Sequence, residues 1–481
     1  MNAEVKEMRK VIPITPVALE PEPELVSLYA AHEKIYPRSV KGVFSNWRWI
    51  MVWVTQIVFY GLPWIEWGQR QAVLFDLGAR RFYIFGLVLY PQDFIYLTGM
   101  LIIAALSLFL FTAVAGRLWC GYACPQTVYT EMFLWVEKFT EGDRSSRIRR
   151  DEGSLNAEKL GRKGAKHLIW LLIGLWTGFT FVGYFTPIQT MVNQVSTLNF
   201  GPWETFWVLF YGFATYGNAG FMREQVCKHM CPYARFQSVM FDKDTLIVTY
   251  DTERGEPRGA RSKKADPTKL NLGACVDCSL CVQVCPTGID IRNGLQYECI
   301  GCGACADVCD TVMDKVGYAR GLVKYSTENA MTNKWSQKQT LRHVFRPRIL
   351  VYTSILLAIV IAIMVSLATR TPFKVDIVRD RGVMARVVEA GKTENVYRLH
   401  LMNATETGQR YRLSVSGLPG LVLTSENMVS VQSTEARTLP MRIQLPFEGA
   451  PAGSHEIQIL IESLDSPGKL IEKTTFLVPK Q

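Results

Sequence analysis

Five stretches of the chain carry no charged residue and are rich in apolar ones: Trp49–Ile65, Phe94–Gly116, Leu168–Ile188, Thr205–Met222 and Ile349–Thr369. A helix needs roughly 20 mostly apolar residues to cross the hydrocarbon core of a bilayer, so each stretch predicts a transmembrane helix. The first and fourth are short. Their Trp47, Trp49, Trp64, Trp203, Trp207 and Tyr211 supply the aromatic belt of a membrane interface. Phe82–Tyr90 is apolar but too short to span. Gly86 interrupts it and Pro91 ends it, which predicts a hairpin or re-entrant piece on the outer face. After Thr369 the period changes from helical to alternating. Asn395–Met402, Arg410–Val415, Met441–Leu445, Glu456–Ile461 and Lys473–Val478 alternate apolar and polar positions, with Gly- and Pro-rich turns between them. Short alternating strands at this spacing predict an immunoglobulin-like β-sandwich, read as a docking or stabilising module.

Charge gives the spans a direction. Segment 117–167 holds Arg144, Arg147, Arg149, Arg150, Arg162, Lys163 and Lys166, and 223–348 ends in Arg342, Arg346 and Arg348. Segment 189–203 has no Lys or Arg, and 66–93 has only Arg70, Arg80 and Arg81. The positive-inside rule makes the N-terminus, 117–167 and 223–348 cytoplasmic and the C-terminus external. The net charge of +10 is thereby a topology signal, and nucleic acid is not expected as a partner. Charged residues make up only 20% of the chain, below the roughly 25% of soluble domains. The first 45 residues are polar, contain Pro13, Pro16, Pro21 and Pro23 and lack the apolar core of a signal peptide. With two runs of four closely spaced cysteines at 275–285 and 299–309, a two-cluster ferredoxin signature, the expected fold class is a multi-domain membrane protein with five transmembrane helices, a two-cluster ferredoxin insert and a C-terminal immunoglobulin-like sandwich. Its expected parts are a cytoplasmic arm 1–46, a four-helix region 47–240, a ferredoxin-like domain 241–345, a fifth span 346–370 and an external domain 371–481.

All twelve cysteines lie within residues 120–309. That confinement points to metal ligation in a reducing compartment rather than to a disulfide scaffold. Cys275, Cys278, Cys281 and Cys285 form one C-x2-C-x2-C-x3-C run, and Cys299, Cys302, Cys305 and Cys309 form another. This is the bacterial two-[4Fe-4S] ferredoxin pattern, in which the fourth thiolate of each run reaches the other cluster. Cys275, Cys278, Cys281 and Cys309 are therefore expected to hold one cluster, and Cys285, Cys299, Cys302 and Cys305 the other. Asp310 replaces the proline that follows the first run, Pro286, which alters the turn but not the ligands. Zinc is the alternative, but it favours paired C-x2-C units.

Two further motifs, Cys120-Gly-Tyr-Ala-Cys124-Pro125 and Cys227-Lys-His-Met-Cys231-Pro232, each follow a predicted span at its cytoplasmic end. Pro biases the preceding residue away from helix, so each motif is expected at a helix–loop junction. The two could face each other as a four-thiolate site. Soft thiolates select copper(I) or iron–sulfur clusters, and a third cluster, a copper site or four buried structural cysteines all fit the residues. His229 and Met230 are further soft donors, with solvated and packing roles as their alternatives. The chain has no C-x-x-C-H, G-x-G-x-x-G or Walker A sequence, so haem and nucleotide binding are not indicated.

Taken together, these motifs resemble the CcoG family, also called FixG or RdxA, accessory proteins for assembly of the bacterial cbb-type cytochrome c oxidase. Arg117–Pro125 and Arg223–Pro232 also resemble the wider polyferredoxin family that includes NapH-type quinol dehydrogenases. The CcoG resemblance implies a cupric reductase of the bacterial inner membrane, with Cys120, Cys124, Cys227 and Cys231 as its redox-active or copper-proximal set and the ferredoxin cysteines as relay. Copper ions, copper chaperones or oxidase assembly factors, and an unidentified electron donor would be its partners. The competing readings are a quinol dehydrogenase, for which Gln56, Gln189 and Asn193 are the candidate polar residues, and a non-enzymatic copper carrier or assembly scaffold.

Overall fold

A computed structural model describes residues 34–261, 270–380, 385–388, 391–446 and 449–480. Helices form at all five apolar stretches. They are α1 (Val43–Gly61), α2 (Phe94–Ala115), α5 (Ala157–Val182), α6 (Pro202–Gly217) and α9 (Pro347–Ala368). Between α2 and α5 lie α3 (Leu118–Tyr122) and α4 (Pro125–Glu141), and beyond α6 come α7 (Pro232–Val239) and α8 (Ala304–Val316). Among the described residues, three helical stretches, ending with α2, α5 and α9, are long and apolar enough to cross a membrane. By contrast, α1 and α6 have only 19 and 16 residues.

The helices α5 and α6 cross with their backbones in contact. A Cβ on Gly178 would lie 2.2 Å from the Val208 carbonyl oxygen, and one on Gly174 would lie 2.7 Å from that of Gly212. Small residues at such a crossing allow close backbone approach inside a bilayer. Against α5 packs α4, whose Phe133 stacks on Trp170 at 5.0 Å while the Trp170 indole donates to the Phe133 carbonyl. Beneath this pair sits a buried charge knot. Glu137 meets Arg147 at 2.5 Å and Arg223 at 2.6 Å, and Lys166 meets Glu141 at 3.0 Å.

The meander β1 (Val73–Asp76), β2 (Arg81–Ile84) and β3 (Leu87–Leu89) contains the hairpin expected at Phe82–Tyr90, turning at Phe85 with φ 51°. The ferredoxin region is held by the antiparallel pair β4 (Ile247–Tyr250) and β5 (Val323–Ser326). The C-terminal sandwich comprises β6 (Phe373–Arg379), β7 (Arg386–Val388), β8 (Lys392–Asn403), β9 (Gln409–Ser416), β10 (Val422–Leu423), β11 (Met428–Val431), β12 (Ala436–Pro446), β13 (Gly453–Ser463) and β14 (Lys469–Val478). One sheet runs β10-β12-β8-β6, with β7 also on β8, and the other runs β11-β9-β13-β14. All five alternating segments of the sequence lie inside strands. Their inward positions, including Tyr397, Leu399, Leu413, Ile443, Ile459 and Phe476, form the core between the sheets.

The antiparallel pair α2–α9 separates the two extramembrane parts. At one end, Arg346 beside α9 donates to the Ala113 carbonyl near the end of α2, and the ferredoxin region begins. At the other end, buried Asp93 pairs with Arg370 at 2.6 Å and Lys374 at 2.8 Å, and the sandwich begins. There the Tyr90 hydroxyl lies 2.9 Å from the Asn403 carbonyl oxygen and 3.1 Å from that of Thr434. Met402 joins Leu74, Tyr83 and Val88 in one apolar cluster. The meander is thus the seat of the sandwich. Tyr90→Phe strips the donor from both carbonyls, and we expect it to weaken docking by about 1 kcal/mol. Faster protease cleavage at 369–372, with the isolated sandwich intact, is the measurement. Unchanged cleavage would mean that the hydroxyl does not hold the seat.

Candidate redox centres

The two C-x3-C-P motifs adopt one design. In the first, Cys120 sits in the short helix α3, while Cys124 is extended (ψ 129°) at the N-cap of α4 with Pro125 in the first turn. In the second, Cys227 sits in a π-helical turn, Val226–Met230, while Cys231 is extended (ψ 111°) at the N-cap of α7 with Pro232 in the first turn. Proline is favoured there because its missing N–H has no helical partner anyway. A second π-turn, Asn218–Met222, precedes Arg223 at φ 40°. Such turns are frequent at functional sites. They swing Cys227 toward the first motif. Burial pushes the Cys227 thiol up to about 12, with the thiols of Cys124, Cys120 and Cys231 adding to the rise. Burial likewise pushes Cys120 up to about 11, with Cys124 next. The Cys120 thiol donates to the Gln237 side-chain oxygen at 3.2 Å, which brings the helix capped by Cys231 against the first motif.

The ferredoxin cysteines line two small cavities. Cys275, Cys278, Cys281 and Cys309 border one, and Cys281, Cys285, Cys299, Cys302 and Cys305 border the other. Burial raises Cys299 and Cys309 to about 12 and Cys281 to about 11. Thiols in such surroundings ionise when a metal centre supplies positive charge. Among the described residues, no three His, Cys, Asp or Glu side chains converge on a point suited to a single ion. A four-iron cube spreads its thiolates wider than one ion does, and thiols arranged around cavities fit it. Left-handed backbone at Ser279, Gly301 and Gly303 turns these loops about the cavities.

The membrane-edge motif touches the ferredoxin loop directly. A Cβ on Gly121 would lie 2.8 Å from the Ile300 carbonyl oxygen, 2.9 Å from that of Gly301 and 3.0 Å from the Cys302 Cα. The Tyr122 and Tyr325 hydroxyls stand 3.2 Å apart, and Tyr325 donates to the Gly301 carbonyl at 2.6 Å. Between the two thiol sets lies buried Arg117. Its guanidinium donates to the carbonyls of Tyr297 and Ala234 and, among the described residues, pairs with no carboxylate. Burial pulls its pKa down, while Cys120, Cys299, Cys227 and Cys231 push it back up. A buried cation needs an anion, and a thiolate-bound metal centre supplies one.

Sequence reasoning brought out all twelve cysteines and missed Arg117, Gly121 and Tyr325. An arginine lies three or four residues before each C-x3-C-P motif, Arg117 and Arg223, and both open the stretches that resemble the polyferredoxin family, with no role of their own assigned from the sequence. Gln189 and Asn193, proposed for quinol, are exposed on a helix at 188–196, and Gln56 lies partway along α1.

Comparison with known proteins follows this geometry. A family model described as a 4Fe-4S dicluster domain matches residues 222–328, and one described as a 4Fe-4S binding domain matches 97–141. A third, the IG-like fold at the C-terminus of FixG, matches 363–479. Protein RdxB of Cereibacter sphaeroides is 38% identical over 471 residues, covering 95% of this chain and 98% of its own. Nitrogen fixation protein FixG of Rhizobium meliloti is 38% identical over 427 residues, covering 82% of each. The chain belongs to the FixG/RdxA family. RdxA of Cereibacter sphaeroides is also 38% identical, over 89% of this chain and 91% of its own. A crystal structure of a FixG-related protein from Vibrio parahaemolyticus matches 22% of this chain and 97% of its own at 24% identity, with a TM-score of 0.21. As a member of the FixG/RdxA family, the protein is an iron–sulfur redox protein with two [4Fe-4S] clusters.

Proposed function

We propose that this FixG/RdxA protein is a cupric reductase that converts copper(II) to copper(I) at Cys120, Cys124, Cys227 and Cys231 during assembly of a cbb-type oxidase. The observation that carries the reading is the contact between the two distant motifs, Cys120 donating at 3.2 Å to Gln237 of the helix that Cys231 caps, beside a loop in backbone contact with the ferredoxin cysteines. When bound, the two clusters take up and give up single electrons, the unit that copper(II) reduction requires. Cys275, Cys278, Cys281 and Cys309 hold one of them, and Cys285, Cys299, Cys302 and Cys305 the other. The two cavities support that division, although Cys281 borders both. Thiolate sulfur retains copper as copper(I), and the exposed Met230 thioether beside Cys231 gives the product a soft exit. In this reading α1 and α6 complete five crossings of a bacterial inner membrane. The ferredoxin region faces the cytoplasm and the sandwich faces the periplasm, as the basic loops direct.

A second reading places a third cluster on the same four thiols. It is favoured by the 4Fe-4S binding model over 97–141, which includes Cys120 and Cys124. One experiment addresses both. Anaerobically purified protein is reduced with dithionite and freed of the excess by gel filtration, copper(II) is then added, copper(I) is followed with a specific chelator, and Cys120→Ser/Cys124→Ser is the comparison. The expected result is loss of copper reduction with iron unchanged. Loss of about one third of the iron, one cluster of three, would support the third-cluster reading instead. Copper reduction at the wild-type rate in the variant would remove these thiols from the copper site.

A further inference from the structure

Buried polar groups in a folded protein are hydrogen-bonded with few exceptions, so a buried donor without an acceptor calls for an explanation. Gln237 on α7 is such a case. It is 1% exposed. Its side-chain oxygen accepts from the Cys120 thiol at 3.2 Å, while its Nε2 has no partner among the described residues. That nitrogen carries two N–H groups. A second buried donor meets the same helix. Arg117 donates to the carbonyl of Ala234, one turn before Gln237, and its Nε is likewise without a partner. The surroundings of Cys120 thus hold unused N–H groups, and neither of the side chains that bear them carries a negative charge.

The amide suits two states of the sulfur. A thiol can donate, whereas a metal-bound thiolate only accepts. The oxygen and nitrogen ends of a glutamine amide are nearly alike in shape. A half-turn about its last bond therefore exchanges one for the other with little movement of its neighbours. In the thiol form the oxygen faces Cys120. Once a metal takes the place of the thiol proton, the oxygen loses its donor and the unpartnered nitrogen becomes the matching end.

We infer that Gln237 is a positioning residue for the copper-proximal thiols, its Nε2–H donating to the Cys120 sulfur when copper(I) is bound there and favouring copper(I) as the ion held. The assignment rests on the copper reading. The Cys120 proton leaves to water as copper replaces it on sulfur, the amide turns, and no electron moves in that exchange. A hydrogen bond to sulfur is strongest where the sulfur keeps most of its negative charge. A singly charged ion leaves it more of that charge than a doubly charged one. The donor therefore favours copper(I) over zinc(II), an ion that four thiolates also accommodate.

The test uses the full chain in detergent under anaerobic conditions. Wild type is compared with Gln237→Met, which keeps the side-chain length and lacks the N–H groups, and with Cys120→Ser/Cys124→Ser. Copper(I) affinity is read by competition with bathocuproine disulfonate and zinc(II) affinity by competition with a zinc-binding dye. Unchanged iron content shows that Gln237→Met is folded. Gln237→Met is expected to hold copper(I) about tenfold more weakly, the scale of one hydrogen bond to a charged group, and zinc(II) nearly as tightly as the wild type. Among the infrared S–H stretches that disappear in the double variant, one is expected to shift in copper-free Gln237→Met, because the Cys120 thiol has lost its acceptor. The inference is overturned if Gln237→Met holds copper(I) as tightly as the wild type, or if no S–H stretch moves. It is also overturned if copper(I) and zinc(II) weaken by the same factor, which would make Gln237 a packing residue alone. If the double variant holds copper(I) as tightly as the wild type, the copper reading fails and the assignment falls with it. A weakened double variant beside an unaltered Gln237→Met sinks the assignment and leaves the copper reading standing.

Discussion

Replacing Glu137 by Gln is expected to destabilise the helical region by about 3–5 kcal/mol, the cost of stripping a buried ion cluster of its central charge. Glu137 lies on α4 and is 2% exposed. It receives Arg147 at 2.5 Å and Arg223 at 2.6 Å, with Lys166 at 3.9 Å. Burial alone would raise its pKa, but Arg223, Arg147 and Lys166 outweigh burial and hold it below the usual carboxylate range. A carboxyl whose folded pKa is depressed stabilises the protein above its unfolded pKa and loses that effect as pH falls through the folded value. The stabilising contribution is thus intact at neutral pH and disappears only in acid. The measurement is the thermal midpoint in detergent at pH 7 for wild type, Glu137→Gln and Glu137→Asp. Equal midpoints for wild type and Glu137→Gln would show the knot to be energetically silent. Because Arg223 also anchors the start of the turn that carries Cys227, the same substitution should lower copper reduction below its melting temperature.

Substituting Gly121 by Val is expected to lower copper reduction on the order of 100-fold, the scale of loss when reacting groups are displaced by about 1 Å. A side chain here meets backbone at Ile300, Gly301 and Cys302 on one side, and backbone cannot rotate aside as a flexible side chain can. The membrane-edge motif and the ferredoxin loop must therefore separate. All twelve cysteines remain, so iron content should be retained, which distinguishes displacement from loss of a centre. Gly121→Ala should fall between the two. Full turnover in Gly121→Val would mean that the contact between the loops has no part in the reaction.

How much of this was legible in the sequence follows from which interactions are local. The ferredoxin runs are read from spacing because one short loop supplies most of each ligand set, and the C-x3-C-P motifs because each pair of thiols is local. The sandwich strands are read from alternation, because each buries one face. The apolar stretches predicted helices, and all five formed, but α6 is too short, at 16 residues, and α1 too mixed in composition for a crossing to be evident from these features alone. The π-turn at Val226–Met230 was hidden, because it depends on how α6 ends against Arg223 and α4. Arg117 is the instructive case. A basic residue at a span end satisfies the positive-inside rule, and only the fold shows that it faces inward toward thiols.

The first turn of α1 is closed by a residue from far along the chain. Asp307 of α8 accepts hydrogen bonds from the backbone N–H groups of Phe44 and Ser45 at 3.2 and 2.7 Å. The partners are 263 and 262 residues apart, and α1 leaves the ribosome first. At roughly 5–20 residues per second, those two groups wait on the order of tens of seconds for their acceptor. During that time water or lipid head groups must serve them. Asp307 lies between Cys305 and Cys309, so the cap is set in place when that cysteine-rich helix folds. Completion of the first helix is in this way tied to folding of the cysteine-rich insert far along the chain.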